Sequence, residues 1–154
     1  MKRILAVTLL GLSLIMTACS EESIEKESED DFPPTMAGII EVNGKQYDIA
    51  TGNYKWERNE GMETQVIATD AASPYQIADD FKAILIGQSE TIHINVEAEP
   101  TITVYLWDEN GRQKKVSVSN NHIKAPENAG KYVFEVLAEW SNGEVSYTFV
   151  VEIK

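Results

Sequence analysis

Between Ile92 and Ile153 the apolar residues recur at every second position. Ile92, Ile94 and Val96 form one such set, and Ile102, Val104 and Leu106 a second. Tyr132, Phe134, Val136, Ala138 and Trp140 form a third, and Val145, Tyr147, Phe149, Val151 and Ile153 a fourth. A period of two places each set on one face of an extended chain and cannot make a helical stripe, whose period is 3.6. The intervening His93, Asn95, Glu97, Glu135 and Glu139 are polar, as expected for half-exposed antiparallel strands. Seven or more short strands with turns between them fit two packed sheets.

Turn chemistry punctuates the pattern. Asn43-Gly44 lies between apolar-bearing runs, where both central residues of a tight hairpin need positive φ. Asp108-Glu109-Asn110-Gly111 and Asn142-Gly143 are further turns. Tyr54 and Trp56 share one face of an earlier strand, which Gly61 ends, and residues 65–69 form another strand. The exception is Ser73-Pro74-Tyr75-Gln76. Ser73 suits an N-cap, Pro74 the first helical position, and Gln76 completes a capping box. A short helix is predicted to about Phe81, with Ile77 and Phe81 turned inward together.

Asn128-Ala129-Gly130-Lys131-Tyr132 resembles the Asp-x-Gly-x-Tyr corner of immunoglobulin-like domains, with Asn for Asp. That resemblance implies an immunoglobulin-like antiparallel β-sandwich in which the Tyr132 hydroxyl bonds back to nearby backbone. Phe134 stands where such domains often place a cysteine, so a disulfide-type domain is not implied. The stretch from Gly130 to Ile153 is similar to the last hairpin of bacterial immunoglobulin-like domains. Gly52-x-Tyr54-x-Trp56, Asp70 and Ser73-Pro74 resemble an extracytoplasmic domain of Gram-positive bacteria, some members of which sit beside membrane sensor-proteases.

The amino-terminal region is of another kind. Lys2 and Arg3 precede an apolar run from Ile4 to Met16, then Thr17, Ala18 and the single cysteine, Cys19. Charge, apolar core and small residues make a secretory signal. The run is about 13 residues, short of the roughly 20 needed to span a bilayer. Thr17-Ala18-Cys19 resembles the lipobox of bacterial lipoproteins, with Met16 where Leu is commoner. The resemblance implies cleavage before Cys19, acylation of its thiol, and a lipid anchor on the extracytoplasmic face of the cell membrane. Three parts are therefore expected: a signal peptide over 1–18, lipidated Cys19 with an acidic linker over 19–35, and a β-sandwich domain over 36–154. Ser20 to Thr35 holds seven acids and one lysine, too polar to fold alone and extended by self-repulsion. The mature chain would carry 25 acids against 11 bases, or −14. Such a surface repels nucleic acid and anionic headgroups, so the lipid must hold the chain to the membrane. With one cysteine, no internal disulfide forms.

No catalytic constellation stands out, and none is expected, nor a cofactor. His93 falls on the polar face of its strand and His122 in a loop, both suited to solvent-facing roles. Asp79 and Asp80 are adjacent on the predicted helix and point about 100° apart; with Asp70 they are the nearest approach to a calcium cluster. Asp108-x-Asn110-Gly111 opens like a calcium loop but places Ser119 where the twelfth-position acid belongs. No metal site is expected. The aromatics Tyr54, Trp56, Tyr105 and Trp107, with Tyr75 and Trp140, are the candidate ligand platform, because Tyr105 and Trp107 lie opposite the aliphatic face of their strand. The expected function is non-covalent: a monomeric module binding an envelope protein or polymer near the membrane. An envelope hydrolase with an unseen carboxylate pair, or a regulator of a membrane sensor-protease, are the alternatives.

Overall fold

Alternation of period two becomes strand throughout the computed structural model, which describes residues 32–154. The signal peptide, Cys19 and the acidic run to Asp31 lie outside the described residues. Phe32–Lys154 form one unit. Its elements are β1 (Gly38–Val42), β2 (Lys45–Asp48), β3 (Ala50–Glu60), β4 (Glu63–Ala68), α1 (Pro74–Ile77), β5 (Ile84–Ile86), β6 (Thr91–Val96), β7 (Thr101–Asp108), β8 (Gly111–Val116), β9 (His122–Lys124), β10 (Gly130–Trp140) and β11 (Gly143–Ile153). The unit is mainly β. A small sheet runs β2-β1-β6-β9 and a large one β4-β3-β11-β10-β7-β8. The pairings are antiparallel except for β5, which adds to β11 in parallel.

The two sheets share one core. Ile40, Val42, Ile92, Ile94 and Ile123 face it from the small sheet, and Val104, Phe134, Val136, Tyr147, Phe149 and Val151 from the large one. Burying each large apolar side chain is worth about 1.5–3 kcal/mol, so the core sets the register. Phe134 and Phe149 sit opposite each other on β10 and β11, their rings stacked at 4.9 Å. The Tyr147 hydroxyl crosses the core to donate to Met36 O at 2.8 Å, tying the incoming chain to the large sheet. Burial, with the nearby Glu97 charge, pushes that phenol up to about 12.

Local signals form as the chemistry requires. Asn43 and Gly44 both take positive φ between β1 and β2. The Tyr132 hydroxyl donates to Asn128 O at 3.0 Å. The Asp108 carboxylate accepts from Asn110 N at 2.7 Å and Gln113 Nε2 at 2.9 Å, so it stabilises its own turn. Three features differ from expectation. His122, expected in a loop, opens β9 and pairs with His93 of β6. The helix has its capping box but stops at Ile77. Beyond it, Asp80 N and Phe81 N donate three residues back, to Ile77 O and Ala78 O. The tighter winding leaves Phe81 exposed. The last hairpin turns at Ser141-Asn142, since Trp140 pairs with Gly143. Gly143 serves contact instead: a Cβ there would run into the Trp56 indole and meet Lys55 O at 2.7 Å. No helix of the described residues is long and apolar enough to cross a membrane.

Candidate functional site

The large sheet has a second face, turned away from the core. Residues between the core positions project there: Tyr105 and Trp107 from β7, Val133 and Glu135 from β10, and Ser146, Thr148 and Val150 from β11. At one end α1 and the chain after it cover the face, where Ala78 packs with Val133 and Val150, and Ala83 and Trp107 close the edge. The rest is open.

Glu135 is the centre of the open part. Its side chain is 4% exposed. Burying a carboxylate costs several kcal/mol unless its oxygens are satisfied, and here both are. Oε2 accepts from Trp107 Nε1 at 2.5 Å and Arg112 Nε at 2.7 Å. Oε1 accepts from Arg112 Nη2 at 2.9 Å and Ser146 Oγ at 3.0 Å. Burial pushes this carboxyl upward, but the bonds from Arg112 and Trp107, the Arg112 charge and the Ser146 bond outweigh it and hold it below the usual carboxylate range. It is ionised at neutral pH, with no oxygen left for proton transfer. The same pair raises the Arg112 pKa, its bond to Glu135 outweighing partial burial.

Arg112 is thereby fixed but not hidden. Its side chain is 43% exposed, and its guanidinium carbon lies 4.3 Å from the Tyr105 ring centroid. A cavity of about 320 Å³ opens beside it, lined by Asn53, Arg112, Glu135, Leu137, Glu144 and Ser146. The arrangement presents a planar cation stacked on an aromatic ring at the rim of a polar hollow. Such a surface suits recognition of carboxylate, carbonyl or hydroxyl-rich groups.

The four aromatics singled out in the sequence divide. Tyr105 and Trp107 join this cluster. Tyr54 packs half-buried against the core and touches the rim of the same cavity. Trp56 is 1% exposed, its ring 5.1 Å from that of Trp140; it is a core residue, with no surface to offer. Tyr75 is on α1, outside the cluster. Sequence reasoning missed Arg112 and Ser146, and it placed Glu135 only as an outward polar residue. The available signal was Glu135 itself, an acid whose neighbours on its own face, Val133 and Leu137, are apolar. Among the described residues, no three His, Cys, Asp or Glu side chains gather at a metal-sized point, and Asp70, Asp79 and Asp80 form no such group.

The chain matches no protein-family model, no curated protein and no solved structure.

Proposed function

We propose that this chain is a lipid-anchored, extracytoplasmic binding module, a monomer held at the cell membrane by acylated Cys19, whose contact surface is the open half of the large sheet's outer face. The observation that carries the reading is the state of Glu135. With four donors on its two oxygens, it serves to hold Arg112 and Trp107 in place. A rigid guanidinium–aromatic surface favours affinity, because little is lost in ordering it on contact. The partner is an envelope protein or polymer. The sequence supports the membrane location through Lys2, Arg3, the apolar run and Thr17-Ala18-Cys19.

We read the fold as immunoglobulin-like on two supports. The first is strand order: β6 beside β9 in one sheet and β8-β7-β10-β11 in the other correspond to the B–E and C′–C–F–G sets of such domains. The second is the Tyr132 bond to Asn128 O at the start of β10. On this reading β1 to β4 are an addition that widens both sheets.

The test is crosslinking in cells with the anchored protein, then mass spectrometry of the adducts. Arg112→Lys keeps the charge beside Glu135 but loses the planar fork, and Tyr105→Ala removes the ring under it. A defined adduct that disappears in both variants is the expected result. An adduct unchanged in both would move the contact to another face.

A further inference from the structure

The chain has two histidines, His93 and His122, and the fold sets them side by side. They are opposite each other across the antiparallel pair β6–β9. Ile92, Ile94 and Ile123 beside them are buried in the core, so both imidazoles leave the outer face of the small sheet. Their rings stack with centroids 4.3 Å apart and planes 9° from parallel.

His122 is held by a built turn. Asn120 and Asn121 both adopt left-handed backbone, φ 49° and 60°. Ser119 and His122 exchange backbone hydrogen bonds of 3.0 and 2.9 Å, and Ile94 N pins the turn to β6 through Asn121 O at 2.8 Å. His122 Nδ1 lies 2.6 Å from Asn120 O. A carbonyl oxygen can only accept, so Nδ1 carries a proton and the neutral ring keeps its lone pair on Nε2. This same carbonyl contact orients the imidazoles of metal sites and fixes their tautomer.

We propose that His93 and His122 form a two-imidazole site for a late first-row transition ion (Cu²⁺, Ni²⁺ or Zn²⁺), with water completing the shell. Two nitrogens each ~2.0–2.1 Å from a tetrahedral zinc stand about 3.3–3.4 Å apart. Rings stacked at 4.3 Å and 9° from parallel aim their lone pairs alongside each other, so closing on one ion requires the His93 side chain to rotate toward it while His122 keeps its carbonyl contact. Glu41 is opposite His93 on β1, so the next position in the row is a carboxylate, which favours a dication. The net charge of −12 raises cation concentration near the surface. Imidazole selects the borderline and softer ions over Ca²⁺ and Mg²⁺, which prefer oxygen. The site lies on the opposite sheet from Arg112 and stands independently of the function proposed above.

The experiment is imidazole-nitrogen NMR of the ¹⁵N-labelled full chain in detergent, titrated with Zn²⁺ and separately with Ca²⁺. Two histidines give two assignable signal sets. The expected result is that both Nε2 signals move together on one saturating Zn²⁺ curve and that neither moves with Ca²⁺. Cu²⁺ should displace Zn²⁺, following the order of affinities. Loss of one of two donors in His93→Gln should weaken Zn²⁺ binding on the order of tenfold or more. Movement of one ring alone, or shifts without saturation, would overturn the proposal. So would a His93→Gln/His122→Gln chain that binds Zn²⁺ equally well, since the ion would then be held by carboxylates such as those of the acidic run. The wild-type titration decides even where a variant does not fold.

Discussion

Glu135 makes a pH prediction. Its carboxyl is held below its ordinary value in the folded chain, so folding binds the ionised form better than unfolding does. Its contribution is therefore fully present above the unfolded value, ~4.3, and is lost as pH falls through the lower folded value. Glu135→Gln removes the charge while nearly preserving shape. It should cost about 1–3 kcal/mol at neutral pH, a figure kept modest because Arg112 is partly in water. Urea unfolding of both chains should show that difference narrowing below about pH 4. A gap that stays constant down to pH 3 would mean the carboxylate charge is not what holds Arg112.

At the scale of elements, the β10–β11 hairpin depends on a missing atom. Gly143 begins β11 opposite Trp140, and the Trp56 indole occupies the space a Cβ would need. One of the contacts is backbone, Lys55 O at 2.7 Å, and backbone in a paired strand cannot step aside. Gly143→Ala should destabilise by about 1–3 kcal/mol or more, read as a lowered urea midpoint with unchanged slope. Equal stability would mean that Trp56 and β3 shift freely. The same residues show what the sequence made legible. Alternation identified β6, β7, β10 and β11 and the face each side chain takes there, because core burial enforces a period of two. β9 is only three residues long, too short for the pattern to register, and its His122 reads as loop. It left open what covers each face. Trp56 and Trp107 look alike in the linear pattern, yet one is sealed in the core and the other bonds to the Glu135 carboxylate on the outer face. Arg112 gave no warning, since Gly111 to Lys115 reads as an ordinary polar strand and its partner comes 23 residues later. Phe81 misled because four-residue spacing implies a common face only while the helix continues.

For the molecule as a whole, the proposed anchor and the proposed surface work as a unit. A domain confined by a lipid and a linker of about 50 Å reach meets its partner at high effective concentration, so modest affinity suffices. A Cys19→Ala chain released to the medium should fail to complement a deletion at equal expression, while the anchored chain succeeds. Full rescue by the released form would separate function from anchoring. The position of β11 has a further consequence, for the order of events during synthesis. It lies inside the large sheet, between β3 and β10, and receives β5 as well. The hairpin of β3 and β4 is made early but finds its neighbour only when β11 emerges, roughly ninety residues later. Contacts of such long separation fold slowly, in milliseconds to seconds. A chain being threaded across a membrane would thus remain threadable until nearly all of this domain had passed, and would close its large sheet on the far side.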